Sequence, residues 1–171
     1  MSSPKHLSIV ILNYRTADDA IAAARSVVTA FSGDTQIKAN VIIIDNDSQD
    51  NSESKLSEFA ALESSELEIT FIQSGHNGGY AAGNNIGLKK AFDEDGVDFA
   101  LILNADARIA LSDVHALVGE LQNDADIYGC PIRYKDGYQC YGGAYINAKF
   151  MITRPVLDPA YVGKMIIDPL F

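Results

Sequence analysis

Apolar runs alternate with amphipathic stretches along this chain. Leu7 to Leu12 is nearly continuous and rich in β-branched residues, the pattern of a parallel strand covered on both faces. Thr16 follows as a helix cap, with Asp19 as its returning acid, and Ala20, Ala24, Val27, Val28 and Phe31 share one helical face. Val41 to Ile44 predicts a second strand, then a polar loop and a helix with Leu56, Phe59 and Ala60 turned inward. Leu67 to Ile72 predicts a third strand. The next helix runs from Gly79 to Phe92, on a stripe of Ala81, Asn84, Asn85, Leu88, Ala91 and Phe92. Phe99 to Leu103 predicts a fourth strand, and Ser112 with Asp113 opens a helix through Leu117 and Leu121. Beyond Ile127 the alternation stops, and Asp136-Gly137 marks the turn of a β-hairpin joining Ile132-Arg133-Tyr134 to Gln139-Cys140-Tyr141. Four strand–helix alternations predict an α/β fold. Its sheet is open and mostly parallel, flanked by helices through right-handed crossovers, with a C-terminal β-hairpin region.

Length and composition narrow the function classes. The 171 residues suit a single domain over 1–171. An apolar content of 47% with 21% charged residues excludes wholesale disorder. Thirteen Lys and Arg against 23 Asp and Glu give a formal net charge of −10, which argues against nucleic-acid partners, since these need their phosphates neutralised. No apolar run is long enough to span a bilayer, and the segment from Met1 to His6 lacks the features of a signal peptide. Cys130 and Cys140 are too few for a disulfide framework and lack metal-site spacing, so they read as reduced thiols of a cytoplasmic protein.

In open α/β sheets ligands bind beyond the carboxyl ends of the strands, and four polar loops should converge there. Asn13-Tyr14-Arg15 has no glycine for a dinucleotide-type turn, and no Walker sequence exists. Its aromatic ring beside a guanidinium could hold a flat base, or the segment is a strand end breaking into a capped helix. Asp45 closes a run of four aliphatics, which places its carboxylate at the crevice rim, suited to a ribose hydroxyl or a base N–H. Asp45, Asp47 and Asp50 fail the EF-hand pattern, with Leu56 in place of the bidentate glutamate, so Asp47, Ser48 and Asp50 read as loop and cap residues. Asn77-Gly78-Gly79 before a helix allows positive φ and close backbone approach, at a helix end that favours anions. Asn84 and Asn85, on the stripe expected to be buried, need partners for their amides. Asn104-Ala105-Asp106 places a carboxylate at the sheet edge. With a substrate diphosphate it could bind Mg²⁺ or Mn²⁺, whereas scattered His6, His76 and His115 give zinc little support.

Together these loops resemble the donor half of a family 2 glycosyltransferase of the GT-A fold, closest to rhamnosyltransferase-like members. The resemblance rests on Ile9-Val10-Ile11-Leu12-Asn13-Tyr14, on Ile44-Asp45-Asn46-Asp47-Ser48-Gln49-Asp50-Asn51-Ser52, on Asn77-Gly78-Gly79-Tyr80-Ala81-Ala82-Gly83-Asn84-Asn85-Ile86-Gly87, and on Leu103-Asn104-Ala105-Asp106, where Ala replaces the usual Pro. It implies a nucleotide-diphosphate-sugar donor of dTDP-rhamnose or UDP-sugar type. Asn13, Tyr14, Arg15, Asp45, Asn77, Gly78, Gly79, Asn85 and Asn104 would bind the nucleotide, and Asp106 would bind the metal, Mg²⁺ or Mn²⁺. Transfer would proceed with inversion to a saccharide or lipid-linked acceptor at the cytoplasmic membrane face.

The family's acceptor segment and its Glu-Asp motif, whose acid is the expected base, have no match before Phe171. Asp158 and Asp168 stand in no recognisable context, so no catalytic base is assigned, and the chain reads as a donor-binding portion. The alternative is a non-catalytic nucleotide-sugar-binding module of the same fold. A receiver-like or flavin-binding domain lacks its late-strand Lys and its Ser/Thr-rich phosphate loop. Homodimerisation is expected through the edge from Tyr138 to Met151.

Overall fold

The computed structural model describes residues 4–63 and 67–119, the backbone of residue 120, and the backbone of four short strands between 132 and 155. The chain divides into two compact units, Met1–Val114 and His115–Phe171.

In the first unit, strands β1 (Lys5–Asn13), β2 (Ile37–Asp45), β3 (Glu68–Gln73) and β4 (Phe99–Ile102) form one sheet in the order β3-β2-β1-β4. Every pairing is parallel, so all four carboxyl ends lie on one edge. The register of the two central strands sets Val10 opposite Ile42 and Asn13 opposite Asp45. Both strands are covered on both faces, which is why they read as unbroken aliphatic runs. Helices α1 (Ala17–Phe31) and α2 (Ser52–Glu63) pack against each other and on the sheet. Ala20, Ala24, Val27, Phe31, Leu56, Phe59 and Ala60 are buried as expected, while Val28 is only half-buried.

Helix α3 (Gly79–Lys89) covers the other face, over a core of Val10, Ile42, Ile44, Ala91 and Val97. It continues into a π-helical turn, Lys90–Glu94, closed by the Asp95 amide on the Lys90 carbonyl at 3.0 Å. Its buried stripe is not the expected one. Gly83, Asn84, Gly87 and Ala91 face the sheet, whereas Ala81, Asn85 and Phe92 are exposed. The reason is proximity: a Cβ on Gly83 would lie 2.4 Å from Leu12 Cδ1, and one on Gly87 2.5 Å from Val10 Cγ1. Glycine carries no hydropathy signal, so a contact made through bare backbone is invisible to periodicity.

The start of α1 also departs from expectation. Thr16 occupies the cap position but makes no side-chain cap bond, and Asp19 does not return one. Instead the Thr16 hydroxyl and amide donate to Asn13 Oδ1 at 3.2 and 3.1 Å, drawing the helix start onto the end of β1. Helix α4 (Leu111–Glu120) begins one residue before Ser112, with the Asp113 and Val114 amides on the Ala110 carbonyl.

In the second unit, β5 (Ile132–Arg133) and β6 (Gln139–Tyr141) pair antiparallel, as the expected hairpin requires. A second antiparallel pair joins β7 (Ala144–Asn147) to β8 (Ile152–Pro155). The Asp136-Gly137 turn, Leu121, Cys130, Asp158 and Asp168 lie outside the described residues, as does much of the edge expected to dimerise.

Candidate donor-binding site

The polar residues that end β1 and β2 form a buried clamp at the carboxyl edge. Asn13 Nδ2 donates to Asp45 Oδ1 at 2.7 Å, across the register that sets the two residues side by side. The Ser48 hydroxyl donates to the same oxygen, and the Ser48 amide donates to Asp45 Oδ2 at 3.1 Å. Gln73, at the end of β3, completes the set by donating from Nε2 to Oδ2 at 2.9 Å. Asp45 is therefore only 1% exposed. This corrects its expected place at the rim. The strand ends are polar enough to draw the carboxylate inward, where four donors replace water.

Ser48 links this clamp to the surface. Its hydroxyl accepts the Arg15 amide at 2.9 Å and Asn13 Nδ2 at 3.2 Å, and its carbonyl accepts Arg15 Nε at 3.0 Å. Those bonds hold Arg15 at φ 61°, in the left-handed region that a long side chain seldom adopts. Asp47 and Gln49, on either side of Ser48, also have positive φ, at 58° and 56°. So fixed, the Arg15 guanidinium lies 5.0 Å from the centroid of the Tyr14 ring, which is 42% exposed. The pair presents a flat aromatic surface backed by a cation. Beside it, a cleft of about 240 Å³ opens between the starts of α1 and α2, lined by Arg15, Thr16, Asp18, Asp50 and Lys55 among others.

Asp50 serves as a cap. The Ser52 hydroxyl and amide beside it hold its carboxyl below the ordinary carboxylate range, and of the two the amide, at 2.8 Å, has hydrogen-bond geometry.

A second group lies over α3. Asn46 Nδ2 donates to Asn77 Oδ1 at 2.9 Å, and the Gly79 amide donates to the same oxygen at 3.0 Å. Gly79 has φ 83°, the positive value expected of the glycine pair. Asn84 Nδ2 donates back to the Tyr80 carbonyl at 3.0 Å, and the exposed Asn85 makes no such bond. The Tyr80 hydroxyl donates to Asn104 Oδ1 at 2.7 Å, tying α3 to the loop after β4. Within that loop Asp106 is exposed, and its carboxylate has no hydrogen-bond or ion-pair partner among the described residues.

Of the ten residues expected to bind nucleotide or metal, Asn13 and Asp45 close β1 and β2, Tyr14, Arg15, Asn77, Gly78, Asn104 and Asp106 lie in the loops that follow the strands, Gly79 opens α3 and Asn85 lies midway along it. Asn13 and Asp45 lie beneath the surface, and Tyr14, Arg15, Asn77, Gly78, Gly79, Asn85, Asn104 and Asp106 lie on it. Ser48 and Gln73 escaped nomination. Ser48 could have been found from its place three residues after Asp45, within reach of that carboxylate; Gln73 carried no local signal.

A model of the family described as glycosyl transferase family 2 matches residues 8–155. The chain belongs to that family. It is 32% identical over 111 residues to "Low-salt glycan biosynthesis hexosyltransferase Agl10" of Haloferax volcanii, covering 65% of this chain and 31% of that protein. The fold is similar to that of mannosyltransferase PcManGT from Pyrobaculum calidifontis in complex with GDP-Man and Mn²⁺. The TM-score is 0.63 at 17% identity, over 77% of this chain and 36% of that one. It is similar also to S. aureus TarS 1-349 in complex with UDP-GlcNAc, with TM-score 0.55 and 19% identity, over 74% of this chain and 37% of TarS. The chain spans about a third of the length of these relatives. Both solved structures share the α/β architecture with its mostly parallel sheet, here the GT-A fold of the family.

Proposed function

We propose that this chain binds the nucleotide-diphosphate-sugar donor of a glycosyltransferase that inverts the anomeric centre. The observation that carries the proposal is the pairing, on one sheet edge, of the hydrogen-bonded Asn13–Asp45–Ser48–Arg15 clamp with the Asp106 carboxylate, which has no partner among the described residues. Tyr14 and Arg15 receive the face of the base, Asp45 its polar edge or the ribose, and the loops at Asn77–Gly79 and Asn104 border the sugar-diphosphate. The relatives' names support this, since one is a hexosyltransferase and two were solved with a nucleotide-sugar.

Asp106 fits a hard divalent ion, being an exposed oxygen ligand with no ion-pair partner among the described residues. No cluster of three or more His, Cys, Asp or Glu gathers among the described residues, so a substrate diphosphate must supply further ligands. Bound there, Mg²⁺ or Mn²⁺ would neutralise charge on the leaving diphosphate. The chain's own residues bind and orient the donor. In the transfer, the acceptor hydroxyl oxygen bonds to the anomeric carbon as the bond to the diphosphate oxygen breaks, and the hydroxyl proton passes to a general base. A dTDP-rhamnose or UDP-sugar donor and a saccharide or lipid-linked acceptor at the cytoplasmic membrane face complete the proposal. No described helix is long and apolar enough to cross a membrane.

A thermal-shift panel of UDP, dTDP, GDP and their sugars, with and without Mn²⁺, tests it. A ligand at 100 times its dissociation constant stabilises the fold by about 2.7 kcal/mol. One base should give a shift that Mn²⁺ enlarges. Asp106→Ala should abolish the Mn²⁺-dependent part and leave the unliganded melting temperature unchanged, because the exposed side chain has no partner to lose among the described residues. A flat panel refutes the assignment.

A further inference from the structure

An ionised carboxylate has about four lone-pair positions for hydrogen bonds. Asp45 has all four filled: Asn13 Nδ2 and the Ser48 hydroxyl on Oδ1, and the Ser48 amide and Gln73 Nε2 on Oδ2. A ligand N–H can reach Asp45 only if one of these donors withdraws. Asn13 and Ser48 are fully buried and bonded on several sides, so neither can leave without opening the clamp. Gln73 differs. Its side chain is half-buried at the end of β3, and its Nε2 also lies 3.3 Å from Glu53 Oε2, on exposed α2 surface. The Gln73 amide can release Asp45 and keep an acceptor.

We infer that Gln73 is the exchangeable partner of Asp45. In the free protein its Nε2 bridges Asp45 Oδ2 and Glu53 Oε2, and it keeps Glu53 alone when a donor base presents a ring N–H to Oδ2. The inference rests on the donor assignment above, and it adds a selection rule. Once vacated, Oδ2 is an acceptor in a buried setting, so it favours a base edge that donates, as the imide N–H of uracil or thymine does, and rejects one that only accepts. Glu53 is a positioning residue, acting through Gln73.

Calorimetric titration of the full chain with UDP, dTDP and N3-methyl-UDP, which lacks the donor, tests the exchange. Gln73→Ala removes the internal competitor and should tighten UDP or dTDP binding about fivefold, against no gain for N3-methyl-UDP. Glu53→Ala removes the resting place and should weaken UDP or dTDP binding about threefold. Opposite signs from neighbouring substitutions are not expected of residues that merely support the loop. If the wild type binds UDP or dTDP and Gln73→Ala weakens that binding or leaves it unchanged, the exchange is refuted while the donor assignment stands. If the wild type binds no nucleoside diphosphate, both fall.

Discussion

Ser48 does more at the residue scale than its size suggests. One hydroxyl donates to Asp45 and accepts from both Asn13 and the Arg15 amide, joining two loops that are far apart in sequence. Ser48→Ala would leave a buried carboxylate oxygen one donor short and the Arg15 amide without its acceptor. The expected loss is about 2–3 kcal/mol of stability, read from the midpoint of urea unfolding. Arg15 should then relax from its positive φ, so base affinity should fall in the same variant. That Asn13, Tyr14, Arg15 and Asp45 belong together could be read from the strand-end pattern, because polar residues closing aliphatic runs must sit at one edge of a parallel sheet. That Asp45 lies beneath the surface could not be read. Its burial depends on Ser48 and Gln73, brought to it by the β2–β3 register and a loop with two residues at positive φ.

At the scale of elements, the contact between α3 and the sheet is made by glycines. A methyl group at Gly87 would sit 2.5 Å from Val10 and 2.7 Å from Ile44, both at the centre of the core. Gly87→Ala should therefore cost about 1–3 kcal/mol through overpacking, despite alanine's better helix propensity. Gly119→Ala, on the exposed face of α4 with nothing within 4 Å among the described residues, is the control and should be neutral or slightly stabilising in the same unfolding assay. Helix α3 also ends in the π-helical turn, where Lys90 pairs with Asp95, and Asn40 extends the chain by donating to Asp95 at 3.4 Å while accepting from buried Ser8 at 2.7 Å. This polar line secures the edge of the sheet opposite the site.

For the whole molecule, the ionisable groups predict how stability follows pH. The His6 amide, at 2.8 Å, and the Lys5 ammonium hold the Asp98 carboxyl below its ordinary value near 3.8. A carboxyl depressed in the folded state stabilises above its unfolded value and ceases to do so as pH falls through the folded one. Lys90 is raised above 10.5, first by its hydrogen bond to Asp95, so its contribution is complete below 10.5 and fades as pH rises through the folded value. Stability should thus decline below about pH 4 and again in strong alkali. Asp98→Asn should make only the acid limb shallower, Asp50 still contributing to it, and Lys90→Met only the alkaline one, in denaturation midpoints collected across pH. The acid effect will be small, because Asp98 is partly exposed and water screens it.

The sequence by itself determined the four strands, their helices, the common edge on which the polar loops meet, and the family likeness. Those features follow from local periodicity and from the rule that parallel strands end on one side. Only the tertiary structure decided which face of α3 is buried, which donors surround Asp45, and that Thr16 turns to Asn13 rather than to its own helix. Each of these depends on distances between segments remote in the chain. Such distances are set by how closely two backbones can approach, and that is a property of the packed fold.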